Sequence, residues 1–492
     1  MTDLRLLIHN HELTRVCLTR YLMIFFFLTF LLLRLVFWFA AFPNSDEAYY
    51  WLWGQHLDWS YYDHPPLQAW IQGIFTAIFG RSTFALRLPN LFSNAAFFYT
   101  YYLITRYLHQ DLEIRSVVLF VLASPLYFIF LGFAWHDHLL ITFSLISAYL
   151  FVRFLDRYLS DGGGETWRLY GSAISLSFAI LSKYNAVFVA IAFFATLITN
   201  ARLRPLFRDR RLYFAIAIAL TALIPILIWN VSNDFESFRY YVDRSVRPIA
   251  PGIKFGSFLG FTLVSFFVVS PFCWFGFYRL LKTRLTIDSI YPIVAFWIFS
   301  LPTIALTVIS LISAALYYWN ITAYLLLFPL LPFVLRKLKT HAVYGLIIST
   351  LLVIHHTVLP LSAFVSKEID PDSRMLFGWK EVASIVQSES RALKNPLLIT
   401  SDYRSASALA YQLNDKNVIA VSDRIDQFDF WYRDPKPLQG KDAVILSDDW
   451  YPAELMVLSK FDRTSEPVTV PVKRFGIWIK NYYVRKGYSF KP

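Results

Sequence analysis

The run LMIFFFLTFLLLRLVFWFAAF (residues 22–42) passes directly into PNSDEAYYW (residues 43–51), and YYDHPPL (residues 61–67) follows soon after. The first stretch is apolar and about as long as a helix needs to cross a bilayer. It has no A-x-A-like cleavage site and many apolar runs follow it, so it reads as a retained membrane helix rather than a signal peptide. The second and third stretches crowd acids, a histidine, aromatic rings and a Pro-Pro pair at the mouth of that helix. A membrane protein has little reason to put such a cluster there unless it acts there.

The composition agrees. The 492 residues are 57% hydrophobic and 19% aromatic, only 16% are charged, and the mean hydropathy is +0.46. These values place the chain among polytopic membrane proteins. The net charge of +12 does not indicate nucleic acid, because the basic residues sit in short clusters between apolar runs, as the positive-inside rule requires. Two cysteines, Cys17 and Cys273, imply no disulfide framework. About eleven apolar runs are long enough, or nearly so, to span: 22–42, 84–105, 116–134, 139–155, 169–182, 184–199, 213–230, 257–277, 288–310, 317–335 and 342–362. The fifth and sixth are split at Ser182-Lys183-Tyr184-Asn185 and read equally as one interrupted helix or two.

Alternate loops differ in basic residues. One set carries Arg153, Arg157 and Arg168, then Arg202, Arg204, Arg208, Arg210 and Arg211. The other set is poorer, which predicts a cytoplasmic N-terminus. With an odd number of spans the C-terminal segment then lies outside. Beyond residue 362 charges, Ser, Asp and Pro become common. Residues 395–400 and 443–446 read as short strands and 405–413 as a helix, so 363–492 is expected to form a soluble α/β domain of ordinary size.

This topology gathers the polar residues on one face. Asp46, Glu47, Asp63 and His64 fall in the first outer loop, His136, Asp137 and His138 in a very short second one, and Lys183 and Tyr184 at the third turn. The fourth loop holds Arg244 with several tyrosines and acids. Each has an ordinary structural reading beside the functional one. Asp46 and Glu47 suit the start of a helix, and Asp63 suits a turn. Lys183 suits a side chain reaching for the interface, although ionisable groups at membrane depth are usually functional. His136 and His138 are the candidates for metal ligation, which requires an irregular loop because neighbouring helical residues face different ways. No cofactor is otherwise called for, and a divalent metal stays open.

The chain resembles bacterial polyprenyl-phosphate-sugar-dependent glycosyltransferases of the GT-C fold. Asp46-Glu-Ala-Tyr-Tyr-Trp51 followed by Tyr61-Tyr-Asp-His-Pro-Pro-Leu67 carries the resemblance. Leu86-Arg-Leu-Pro89, Leu181-Ser-Lys-Tyr-Asn-Ala186, Trp229-Asn230, Arg424-Ile-Asp-Gln-Phe-Asp-Phe-Trp431 and Gly440-Lys-Asp-Ala443 extend it along nearly the whole chain. These enzymes are similar to protein O-mannosyltransferases and to the lipid A aminoarabinose transferase, and the galacturonosyltransferase-like subgroup matches best. Two departures stand out. Relatives commonly have Thr-Pro-Asp where this chain has Trp135-His136-Asp137-His138, and the aminoarabinose transferase has lysine in place of His64.

The resemblance implies a polytopic α-helical membrane protein of GT-C type, with a catalytic transmembrane domain (1–362) and a periplasmic soluble α/β domain (363–492) in the inner membrane. It implies inverting transfer of a hexose or pentose from an undecaprenyl phosphate donor to an envelope acceptor such as lipid A or lipopolysaccharide core. Asp46 would be the base or would orient the acceptor, while Asp63 and Asp137 would position the sugar and favour an oxocarbenium-like ring. His64, Lys183 and Arg244 would neutralise the departing phosphate, and Glu47, Tyr50 and Tyr184 complete the substrate-binding set. A lipid transporter or flippase is the competing reading. It would line a midplane cavity reached from both sides, whereas these residues collect at one face.

Overall fold

The computed structural model describes residues 2–108, 114–245, 252–283, 285, 287–335 and 338–491, with side chains from Tyr21 onward except those of 244 and 245. Helix α1 (Thr2–Ala40) contains the first span. It is followed by α2 (Ser45–Gln55), α3 (Leu67–Phe79), α4 (Thr83–Leu108), α5 (Ile114–Leu122), α6 (Pro125–Phe130), α7 (His136–Asp161), α8 (Thr166–Ser182) and α9 (Val187–Thr199). Then come α10 (Arg210–Leu220), α11 (Leu223–Ser232), α12 (Glu236–Ser245), α13 (Phe255–Val269), α14 (Pro271–Lys282), α15 (Tyr291–Ile312), α16 (Leu331–Val334) and α17 (Leu338–Thr357).

Among the described residues, four helices are long and apolar enough to cross a membrane, and the number rises to eight if each bent helix pair is one span. Length and composition alone thus single out fewer helices than the eleven apolar runs. The run at 116–134 is divided into α5 and α6. Helix α8 is short, and α4 carries Arg87, Asn90, Asn94 and Arg106 within its length. The run at 257–277 bends by 96° between α13 and α14. The break at Lys183 is a true end: Lys183 is extended (φ −159°, ψ 139°) between α8 and the 3₁₀ turn Tyr184–Ala186, so residues 169–199 form two helices.

Helix α2 positions the site. Asn44 caps it by accepting from the Asp46 amide at 3.0 Å, while Glu47 reaches back to the Asn44 amide at 2.9 Å. This reciprocal capping box makes Glu47 a helix-start residue. Helix α3 crosses α2 where two glycines meet: a Cβ on Gly54 would lie 2.6 Å from the Gly73 amide nitrogen. Only the missing side chains permit so close a crossing.

The C-terminal region holds α18 (Pro371–Arg374), α19 (Trp379–Arg391), β1 (Leu397–Thr400), α20 (Tyr403–Leu413), β2 (Ile419–Ala420), α21 (Gln427–Trp431), β3 (Ala443–Asp448), α22 (Leu455–Leu458), β4 (Phe461–Thr464), β5 (Val468–Arg474) and β6 (Ile477–Phe490). The sheet runs β2-β1-β3-β6-β4, with β5 also on β6. Strands β2, β1 and β3 are parallel, and β6 is antiparallel to its neighbours. Tyr49, Trp51 and Trp53 of α2 share one apolar core with Trp379, Tyr411 and Phe428 of this region. Each such buried ring contributes about 1.5–3 kcal/mol, so α2 is held from both sides.

Candidate functional site

A cavity of about 440 Å³ opens where α2 and the helix ends of the bundle meet the C-terminal region. Four carboxylates line it: Asp46, Asp63, Asp137 and Asp372. Three cations face them: Lys183, Arg404 and Arg424.

Each acid is placed by a local structural reason. Asp137 lies in the first turn of α7 and Lys183 at the break after α8. The Lys183 ammonium bonds both Asp137 oxygens, at 2.8 and 2.9 Å, and sits 4.9 Å from the centre of the Tyr318 ring. The pair is almost fully buried. Asp63 ends the aromatic turn after α2. One of its oxygens accepts from the Tyr49 hydroxyl at 3.0 Å and the other from Arg424 at 2.9 Å. Asp372 meets Arg404 at 3.2 Å. Asp46 alone of the four has no ion pair or side-chain hydrogen bond among the described residues. Burial pushes its carboxyl up to about 6. Nearby Asp372 and Asp63 add to the rise, and Arg404 and Arg424 oppose it. A carboxylate without an ion pair and poised near neutral pH is suited to proton transfer.

The residues singled out from sequence divide in two. Asp46, Asp63, Asp137, Tyr50, His64 and Lys183 all line the cavity. His64 Nδ1 lies 2.7 Å from the Tyr241 hydroxyl. Glu47 does not line it. Its carboxylate is wholly buried and takes four donors: Arg87 Nε at 2.9 Å and Nη2 at 2.7 Å, the Asn44 amide and the Ala134 amide. Arg87 Nη1 in turn donates to the carbonyls of Phe37, Trp38 and Ala41 at the end of α1. One ion pair thus fastens the end of α1, the start of α2, helix α4 and the turn before α7, and Glu47 is corrected from substrate ligand to framework. Tyr184 also stays outside the lining, with its hydroxyl 3.2 Å from that of Ser237. The Arg244 side chain lies outside the described residues.

The histidine pair needs a correction as well. Residues 136–138 are the first turn of α7, not an irregular loop. His136 packs its ring 4.2 Å from Tyr50 and 4.5 Å from His64, whereas His138 Nδ1 lies 2.7 Å from the Ser93 hydroxyl. The two imidazoles diverge, as helical neighbours must. Among the described residues no three His, Cys, Asp or Glu side chains gather as ligands for one ion. The donor set among the described residues does not fit a metal, and no step is derived through one.

Sequence reasoning missed Arg404, Arg424, Tyr403 and Asp372. Arg404 follows β1 at the start of α20, where Asp402 accepts from the amides of Arg404 and Ser405 at 2.9 and 3.0 Å. Arg424 follows β2. Both therefore sit beyond the carboxyl ends of parallel strands, where open α/β sheets usually bind ligands. The only advance signal was that Arg424 begins a stretch matching the family pattern.

The family model for dolichyl-phosphate-mannose-protein mannosyltransferases matches residues 63–229. The crystal structure of ArnT from Cupriavidus metallidurans bound to undecaprenyl phosphate superposes with a TM-score of 0.61 at 15% identity, covering 94% of this chain and 97% of that one. The chain shares the fold of that transferase, the GT-C fold. Its GT-C fold comprises a multi-pass helical bundle and a small C-terminal sheet region. Two Rhizobium johnstonii proteins are similar in sequence. The lipid A galacturonosyltransferase RgtD is 27% identical over 290 residues, 57% of this chain and 58% of that protein. The lipopolysaccharide core galacturonosyltransferase RgtB is 28% identical over 198 residues, 40% of this chain and 39% of that protein. The chain therefore matches less than two thirds of the length of either relative.

Proposed function

We propose that this GT-C protein transfers a sugar, of the hexuronic acid class, from a polyprenyl phosphate to a lipid A or lipopolysaccharide core acceptor, with inversion at the anomeric carbon. The observation that carries the reading is the unpaired Asp46 carboxylate in a cavity whose other three acids are each tied to a cation. The names of the two sequence relatives support the uronic acid and the acceptor. The undecaprenyl phosphate in the ArnT structure supports the donor lipid. The active face is outward, on the periplasmic side of the inner membrane, in keeping with the loop charges.

In this mechanism Asp46 takes the proton of the acceptor hydroxyl as its oxygen bonds to the anomeric carbon, and the bond from that carbon to the donor phosphate breaks. General-base help of this kind is worth about 10²–10⁴-fold. An acceptor that is already an ionised phosphate needs no base, and Asp46 then orients it. Lys183 stabilises the departing polyprenyl phosphate. Asp137 holds the Lys183 ammonium, so the phosphate shares a cation that is already positioned and buried. Such preorganised charge is commonly the largest catalytic contribution. Asp137 and Asp63 stay beside the sugar ring, where they stabilise its developing positive charge.

The test is turnover by the purified full chain of labelled polyprenyl-phosphate sugars, uronic and neutral, with lipid A or core acceptor. A uronosyl donor consumed by the native protein, and a rate lowered about 10²–10⁴-fold by Asp46→Asn, is the expected result. Transbilayer movement of the lipid with no sugar transferred from any donor would make the protein a flippase instead.

A further inference from the structure

Helix α7 carries Asp137 in the first cavity and then runs through the bundle. Sixteen residues on, about 24 Å along the helix axis at about 1.5 Å per residue, Arg153 opens a second cavity of about 670 Å³. Arg153 and Arg157 of α7, Arg168 of α8 and Arg202 of the loop after α9 all line it. We infer that this cavity is a binding site for a phosphate group at the opposite membrane face from the cavity containing Asp46.

Two of the guanidinium groups are held in place yet have no acidic partner among the described residues. Arg153 sits 4.3 Å from the centre of the Tyr107 ring and donates to the Tyr149 hydroxyl at 2.9 Å. Asp156, one helical turn away, is the acid expected to pair with it. That carboxylate is already taken by the Tyr107 hydroxyl, the Ser289 hydroxyl and the Ile290 amide, at 2.5, 2.5 and 2.6 Å. Arg202 donates to the Leu159 carbonyl at 2.9 Å and forms no ion pair among the described residues. Among the described residues Arg157 and Arg168 pair only with acids close by in sequence, Asp161 and Glu165, each partner at least a third exposed. Exposed pairs of this kind are weak and give way to a better anion. Asp288, the remaining acid of the wall, is exposed to solvent.

Planar guanidiniums that converge from three elements match the tetrahedral oxygens of a phosphate better than isolated surface arginines do. The cavity sits at the end of membrane helices, where basic pockets meet anionic headgroups. The phosphate can therefore come from an anionic phospholipid or from solution, and the chemistry of recognition is the same.

The experiment measures binding of short-chain phosphatidylglycerol, short-chain phosphatidylcholine and inorganic phosphate to the purified full chain in neutral detergent. Arg153→Gln/Arg202→Gln is compared with Arg279→Gln/Lys282→Gln, which removes two exposed charges at the end of α14. Phosphatidylglycerol is expected to bind native protein and the α14 variant alike. The cavity variant should lose at least about tenfold in affinity, the scale of one charge-assisted hydrogen bond. Inorganic phosphate that competes at millimolar concentration makes the ion itself the ligand, and lack of competition makes it the lipid headgroup. Equal losses in the two variants, or no preference for phosphatidylglycerol over phosphatidylcholine together with no binding of inorganic phosphate, would overturn the inference. Unchanged Tm of the unliganded cavity variant confirms that the fold is intact.

Discussion

Replacing Glu47 by glutamine keeps the size of the side chain and removes one charge, and its consequence follows from four hydrogen bonds. One oxygen of Glu47 accepts from Arg87 Nε and the Ala134 amide, and the other from Arg87 Nη2 and the Asn44 amide. Whichever way a glutamine amide is turned, its NH₂ faces two donors. Two bonds are lost, and Arg87, 1% exposed, is left without a counter-charge. Breaking a buried pair by removing one partner costs about 3–5 kcal/mol. Loosening Arg87 also frees the last carbonyls of α1, so the loss spreads to the first span. Thermal denaturation in detergent should show a Tm several degrees below native for Glu47→Gln. Donor affinity in the fraction that stays folded should be unchanged. The neighbouring Asp46→Asn should behave in the opposite way, with a native or higher Tm and loss of turnover. A Glu47→Gln protein with native Tm and weakened donor binding would refute the assignment and return Glu47 to the substrate.

Asp46 also makes stability and rate depend on pH in a defined sense. Its folded carboxyl titrates at about 6, above the ordinary value of about 3.9, so the folded state holds the proton more tightly than the unfolded chain. That favours folding below about pH 6 and is lost as the pH rises through it. Asp46→Asn should therefore raise Tm more at pH 8 than at pH 5, and an equal effect at both would contradict it. With a hydroxyl acceptor, kcat/KM should climb tenfold per pH unit below about pH 6 and then level, and a flat profile would remove the base role. Lys183→Met should leave Asp137 buried and unpaired at a cost of about 3–5 kcal/mol. Adding Asp137→Asn should restore most of the stability but not the turnover, and a double variant as unstable as the single one would show that the pair is not the cause. Gly54→Ala should destabilise and reduce turnover, because its Cβ would lie 2.6 Å from the Gly73 amide nitrogen and 2.9 Å from the Ala69 carbonyl. A native Tm and rate would show that α2 and α3 have room to part.

Much of this cavity's lining was legible in the sequence. Asp46, Asp63, His64, Asp137 and Lys183 were singled out because acids, imidazoles and amines stand out against a lipid-soluble chain, and a single rule of loop charge placed them on one face. What could not be read was which of two adjacent acids faces the cavity. Asp46 and Glu47 are chemically alike and share the same turn. They differ because Arg87, forty residues away, reaches one and not the other. The histidines failed for a related reason: Trp135-His136-Asp137-His138 looked like a loop, but α7 begins there and turns the two rings apart.

The chain's apolar periodicity, its loop charges and its outer-loop motifs were enough to specify a membrane bundle with a polar site at one face, because hydrophobic length and charge placement are local properties. The helices are more broken and bent than the apolar runs suggest, since the angle at Ser270 or the break at Lys183 depends on what packs beside them. The wall made by Arg404, Arg424 and Asp372 exists only in three dimensions. Asp63 and Arg424 stand 361 positions apart in the chain and 2.9 Å apart in space. Nothing local couples them: the contact forms because the buried rings of α2 and of the C-terminal region, packed as one core, carry the ends of β1 and β2 onto the mouth of the bundle.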